Sequence, residues 1–312
     1  MVATNLILSQ KTAQDIDKRV ARVLDGLGNP EPPLRLEDVR ELLKLDVKFY
    51  TANDPGLMQE VVSRIRVAAV QVFSRPALLL EAIQKWSLKA LYIPDRRRIM
   101  LDQSLPALKH RWNEAHEVGH SLLPWHEAMM HGDNEQTLSR HCHEHVEAEA
   151  NHAAGRLLFL RDRFFSDARS VAPTIASIRQ LKDRYGNTIS TTLYRFVESM
   201  GSDRAIVGMM TDHPHPARRS VDHDPEFPCR HVIQSAAFQK QFGQLTEKEL
   251  FAAIAQYCGA QRGGMLGQME LLLDDRNGGT HRFYFETFYN RYDALTIGVH
   301  LRPEPTSVSF IT

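Results

Sequence analysis

Two histidines four residues apart, with a glutamate directly after the first, are the side chains of this sequence best equipped for chemistry: His116, Glu117 and His120. On an α-helix, positions i and i+4 lie one turn apart on the same face, so both imidazoles can reach one metal ion. Ligation by two neutral nitrogens leaves zinc Lewis acidic enough to bring the pKa of a bound water to about 7. Glu117 lies beside the pair, badly placed to share the ion but well placed to take a proton from such a water.

That chemistry requires a helix. Leu108, Trp112, Ala115, Gly119 and Leu122 recur at helical spacing and form one apolar stripe, while Asn113, His116, Glu117 and His120 fall on another face. Ser104 and Pro106 suit the start of the helix, and Pro124 marks its stop near Leu123.

A hydrolytic zinc needs a third protein ligand and an open position. Two residues compete for that place. His126 stands six residues after His120, the metzincin spacing, but Leu123-Pro124 follows where that pattern wants a glycine. Glu147 lies in a second helical stretch, 146–159, with Val146, Ala150, Ala153, Leu157 and Leu158 as its apolar stripe. Glu147 and Asn151 share a face of it, so the glutamate could complete a His₂Glu site and the asparagine could orient a ligating histidine.

Ala115-His-Glu-Val-Gly-His-Ser-Leu-Leu123, followed by Glu147-x-x-x-Asn151-x-Ala-Ala-x-x-Leu-Leu158, resembles the ImmA/IrrE family of zinc metallopeptidases. The resemblance implies that Glu147 is the third zinc ligand of a gluzincin-like site. It also implies a substrate class: helix-turn-helix repressors, cut to switch on stress-response or mobile-element genes. It spans roughly residues 10–200 and is most specific over 109–160.

The whole chain sets the frame. Its 312 residues suffice for one large or two ordinary domains with a buried core. Lys plus Arg equals Asp plus Glu at 38 each, so no bulk field argues for nucleic-acid or membrane binding. Of fifteen histidines, nine lie between His110 and His152, around the motif. Cys142, Cys229 and Cys258 are few, odd in number and far apart, which favours a reducing compartment. With no basic leader at the start and no apolar run of transmembrane length, a cytoplasmic location is expected.

Along the chain, helices are expected over 11–27 and 36–43 and a strand over 45–50, with 56–86 a largely helical insertion. Residues 88–101 read as a β-hairpin around Asp95-Arg-Arg-Arg98, whose edge could pair with an extended peptide. Trp125 to Arg140 reads as a loop, with His141, His143 and His145 as exposed residues at the next helix start. Residues 173–200 read as two helices meeting at Gly186, with Ser190 capping the second. This resembles a helix-turn-helix but lacks a basic second helix, and Tyr194 or Arg195 on it could donate to an oxyanion. Beyond it, a strand near 204–210, a Pro- and His-rich loop through 228, a helix at 245–257, a hairpin across Asn277-Gly278 with a type I′ turn, and a strand at 295–301 make a C-terminal α+β domain.

The expected architecture is α+β. A zincin-like metallopeptidase domain over 1–202 includes the helical hairpin 173–200, and 203–312 is a second domain for substrate recognition or sensing. The expected function is a zinc endopeptidase with His116, His120 and Glu147 on the metal and Glu117 as general base, acting on a protein partner rather than on nucleic acid or membrane. The competing reading is a DNA-binding or sensory regulator with a structural or vestigial metal site. Glu117 argues against it, because a structural zinc wants four protein ligands and no base beside an open position.

Overall fold

The computed structural model describes residues 8–50, 90–93, 97–126 and 140–305. The chain is α+β and divides into two compact units. One runs to residue 161 and takes in 185–187; the other holds 162–184 and everything from 188 onward.

The first unit opens with α1 (Gln10–Gly26) and α2 (Leu36–Leu43), close to the expected spans. Ile16, Val20, Val23 and Leu24 form the buried stripe of α1, and Ser9 caps it by accepting from the Thr12 N–H. A three-stranded sheet follows, made of β1 (Asp46–Tyr50), β2 (Ala90–Ile93) and β3 (Arg98–Asp102). Its order is β1-β3-β2: β1 runs parallel to β3, and β2 antiparallel to β3 as the expected hairpin requires. The hairpin tip and the proposed insertion 56–86 lie outside the described residues.

Two helices then carry the sequence motifs, α3 (Ala107–Leu122) and α4 (Arg140–Leu158). Ala115, Val118 and Gly119 of α3 are buried, as are Ala150, Ala153, Ala154, Leu157 and Leu158 of α4. Small residues bring the two helices close. A Cβ at Gly119 would stand 2.7 Å from the Ala150 carbonyl oxygen and 3.3 Å from the Ala153 Cβ. Charged contacts fix the remaining helices: Arg40 on α2 pairs with Glu114 on α3 at 2.8 Å, and Asp17 on α1 receives Arg156 at 2.8 Å and His152 at 3.2 Å from α4. After Leu123 the chain re-enters helix at Pro124-Trp125-His126 instead of the expected loop. Proline stops α3 yet is pre-set for the first position of a new helix. Residues 127–139 lie outside the described set.

The second unit contains α5 (Asp162–Ser170), α6 (Ile175–Tyr185) and α7 (Ile189–Ser199). Gly186, with φ +66, makes the turn between α6 and α7. Thr188, not Ser190, caps α7: its extended backbone lets the hydroxyl accept from the Thr191 N–H. A five-stranded antiparallel sheet follows, of β4 (Ile206–Thr211), β5 (Cys229–Gln234), β6 (Gly264–Asp274), β7 (Thr280–Tyr289) and β8 (Ala294–Pro303), ordered β5-β4-β8-β7-β6. Two helices pack with it, α8 (Ala236–Phe242) and α9 (Glu247–Ala255), the latter started by a Thr246/Glu249 capping box.

Strand β4 is buried along its whole length. Val207 and Met209 join Phe238, Phe242, Leu250, Phe283 and Phe285 in one core. Gly208 points the other way. A Cβ there would meet Val197 of α7 at 2.9 Å, so glycine lets α7 seat on the sheet. This packing is why the units part at 161/162, whereas the sequence reading divided the chain at 202/203.

The β6–β7 turn differs from the expected two-residue type I′ form. The strands end at Asp274 and Thr280, leaving five residues between. The Asp275 carboxylate organises them by accepting from the N–H groups of Asn277 and Gly279, both at 2.8 Å. Cys229 and Cys258 are free and buried, and burial pushes their thiols up to about 12 and about 11. No described helix is long and apolar enough to cross a membrane.

Candidate metal centre

The close α3–α4 contact aims three side chains at one point. His116 Nε2 lies 3.1 Å from His120 Nε2 and 3.2 Å from Glu147 Oε2, and His120 Nε2 lies 3.7 Å from Glu147 Oε1. With bonds of 2.0–2.1 Å, a tetrahedral zinc holds its ligand atoms about 3.3 Å apart, close to these separations. His120 is buried and the His116 side chain is 15% exposed, while Glu147 is 40% exposed. One side of the cluster is therefore open to solvent. Among the described residues this is the one group of three or more His, Cys, Asp or Glu side chains spaced to hold a metal ion.

The far sides of the imidazoles show which nitrogens are offered. His116 Nδ1 is 3.1 Å from Asn151 Oδ1. An amide oxygen only accepts, so the ring proton sits on Nδ1 and the Nε2 lone pair faces the cluster. Asn151 is thus the hydrogen-bond partner of His116 on the side away from the cluster. His120 Nδ1 meets His126 Nδ1 at 3.0 Å, and His126 Nε2 meets Glu149 Oε2 at 2.9 Å. The carboxylate accepts from His126 Nε2–H. That leaves His126 Nδ1 to accept from His120 Nδ1–H, so the Nε2 lone pair of His120 also faces the cluster. Trp125 completes the row by donating to Glu149 Oε2 at 2.6 Å. Burial would raise the Glu149 carboxyl, but the hydrogen bonds from His126 and Trp125 hold it below the usual range.

Two lone pairs and a carboxylate within 3.1–3.7 Å repel one another unless a cation lies among them. In His116 this shows as raised proton affinity: burial lowers it, but the Glu147 hydrogen bond and the charges of Glu117 and Glu147 outweigh burial. The residues present therefore fit a divalent metal with a two-nitrogen, one-carboxylate donor set.

Glu117 is 6% exposed and accepts a hydrogen bond from the Tyr92 backbone N–H on β2. Burial, with the Glu147 charge adding and His116 and the Tyr92 amide opposing, pushes its carboxyl up to about 7. A carboxylate in that range accepts and returns protons near neutral pH. Tyr50, at the end of β1, feels the same charge: burial first, then Asp102 and Glu117, push its phenol up to about 12.

Of the residues singled out in the sequence, His116, His120 and Glu147 converge, with Glu117 and Asn151 adjoining. His126 stands behind His120 instead of converging with it. Tyr194 and Arg195 belong to the second unit and have local roles. Arg195 pairs with Glu198 at 2.7 Å and lies 5.8 Å from the Tyr194 ring centroid, and burial raises the Tyr194 phenol. The sequence reading missed Glu149, Trp125 and Tyr50. The signal for the first two was a Trp-His pair straight after the proline that ends the motif helix.

No curated protein shows significant similarity to the chain. A solved structure described as a Mycobacterium tuberculosis transcriptional regulator is similar over 92% of this chain and 88% of that chain, with 14% identity and a TM-score of 0.49. Residues 69–197 match the profile of the IrrE N-terminal-like domain, Peptidase M78, and the match includes both motif helices and ends within α7. Over residues 69–197 the chain is thus similar to the IrrE N-terminal-like domain of the peptidase M78 model.

Proposed function

We propose that the protein is a zinc-dependent endopeptidase of the cytoplasm that cuts a helix-turn-helix transcriptional repressor and so releases stress-response or mobile-element genes. The observation that carries the reading is the convergence of His116, His120 and Glu147 beside a buried Glu117 whose proton affinity sits near neutrality. Those three residues would hold the ion, which when bound supplies Lewis acidity to a carbonyl oxygen and a water. Glu117 takes the proton of the attacking water and passes it to the leaving amine, a shuttle suited to a group titrating near 7. Asn151 and His126 hold the two imidazoles so that Nε2 of each would be the atom offered to the ion. Tyr50, near Glu117 and protonated at neutral pH, is a better-supported oxyanion donor than Tyr194 or Arg195. Among the described strands β2 stands at the end of the small sheet, an edge on which a substrate segment could pair.

The second reading, a DNA-binding or sensory regulator with a structural metal, calls for a fourth protein ligand. The cluster has three among the described residues. The deciding experiment incubates the zinc-loaded protein with a folded helix-turn-helix repressor and follows cleavage by mass spectrometry. The wild type should cut at one site. Glu117→Gln should keep its zinc and cut about two to four orders of magnitude more slowly. Near-normal cleavage by a zinc-loaded Glu117→Gln protein would end the reading.

A further inference from the structure

The second unit holds a concave site that the chemistry above does not use. An open concavity of ≈ 960 Å³ is bordered by Arg218, Arg219, Arg262 and Arg291 together with His213 and Tyr289, and no carboxylate among the described residues lines it. Small-molecule sites run to roughly 300–1,000 Å³, so the space suits a ligand of metabolite size or larger.

The arginines stand out by what they lack. Elsewhere on the same sheet Arg230 pairs with Asp293 at 2.7 Å, and Arg282 with Glu304 at 2.6 Å. None of the four cavity arginines makes an ion pair among the described residues. Among the described residues Arg218 donates to the Ala260 carbonyl and Arg219 to that of Pro214; the Arg219 guanidinium also lies 5.4 Å from the Phe251 ring centroid, and its Nε is buried with no hydrogen-bond partner. The carboxylates acting on Tyr289, Asp212 and Asp293, are already engaged: Asp212 by the Ser220 N–H and hydroxyl, Asp293 by Arg230. Four arginines therefore border one concavity, none of them paired with a carboxylate among the described residues.

The backbone supports this arrangement. Arg291 sits at φ +80, in the left-handed region where side chains other than glycine are strained. Its turn is held by the Asn290 side chain, which accepts from the N–H groups of Tyr292 and Asp293. Strain of this kind gathers at ligand clamps. Beside Arg291 and Tyr289, Gly263 and Gly264 leave bare backbone, and Gly264 needs its glycine at φ +82.

We propose that this cavity binds a small polyanion, a molecule with at least two phosphate or carboxylate groups. A guanidinium grips one such group through paired N–H donors, so four of them match two or more anionic groups, with the Tyr289 ring as a wall for the rest of the ligand. A duplex nucleic acid fits less well. The chain has no net charge, and the arginines surround a concavity rather than lying in a stripe.

The test uses the full chain and two probes, pyrophosphate and citrate, in calorimetry and thermal unfolding at low salt. At least one should bind saturably and raise the unfolding temperature; which one does so names the anionic group. Arg262→Ser removes an exposed side chain, and Arg291→Gly relieves a strained one, so both variants should fold. Each should weaken binding about tenfold, and Arg291→Gly should unfold at a higher temperature without ligand. Arg302→Ser, on the same sheet but outside the cavity, should bind as the wild type does. The proposal fails if neither probe binds saturably, if Arg262→Ser and Arg291→Gly bind like the wild type, or if a short DNA duplex displaces the probe and binds more tightly.

Discussion

Each unit contains a pair of touching histidines with a carboxylate, yet only one of the two groups has the form of a metal centre. In the second unit His281 Nδ1 lies 3.0 Å from His300 Nε2, and His281 Nε2 lies 3.2 Å from both Asp275 Oδ2 and Gln241 Nε2. The contacts run in a line, and both nitrogens of His281 are used by neighbours. The Phe242 ring stands edge-on to it with centroids 5.0 Å apart. In the first unit the outer nitrogens are tied back by Asn151 and His126, so the inner ones share a vertex with Glu147. The ingredients are nearly the same. What differs is where the outward nitrogens find acceptors, and that decides whether lone pairs converge or pass along a chain.

The largest test of this contrast is metal content. His120→Ala should abolish stoichiometric zinc in the purified protein, whereas His281→Ala should keep it, as read by elemental analysis. Equal loss from both variants would mean that convergence is not the deciding property.

Next in size is an effect of Glu117 on the metal-free protein. Its folded pKa, about 7, lies above the ordinary 4.5, so the folded state holds the extra proton between those values. Stability is therefore full at low pH and falls as pH rises through 4.5 to 7. Glu117→Gln does not titrate. It should be more stable than the wild type by up to about 3 kcal/mol at pH 8, and equal to it at pH 4, by denaturant unfolding. A difference independent of pH would refute the assignment.

A smaller loss is expected behind the vertex. His126→Leu or Glu149→Leu should weaken zinc about 10- to 100-fold in chelator competition, roughly 1.4–2.7 kcal/mol. His126→Gln, whose amide oxygen can still accept from His120, should lose less. Unchanged affinity in both leucine variants would reduce His126 to packing.

The smallest effect belongs to the linear pair. Burial, then the neighbouring His281, lowers the proton affinity of His300. A base depressed by folding contributes stability above its ordinary pKa that is lost as pH falls. His300→Gln should accordingly flatten the acid limb of the stability curve between pH 7 and 5, and an unaltered limb would count against this assignment.

The contrast also shows what a linear sequence reveals. His116, Glu117 and His120 were legible because one helical turn sets their relation, and α1 and α3 because their apolar residues repeat at helical spacing. Glu147 needed the family resemblance, since no local rule brings a residue 27 positions beyond His120 onto the same ion. Glu149 was hidden for a related reason. It reaches His126 through the approach of two helices, which periodicity does not encode. Strand β5 was missed because Arg230 and His231 interrupt its apolar pattern, and α8 because seven residues are too few to display a helical repeat.

Gly119 sets a dimension of the site. Its missing methyl group lets the Ala150 carbonyl come within 2.7 Å of where a Cβ would be, three residues along the helix from Glu147. The gap between imidazoles and carboxylate is therefore a mechanical clearance between two rods, gauged at a residue that offers no ligand atom. A methyl inserted there acts as a shim. It leaves every donor in the sequence and widens the jaws that hold them.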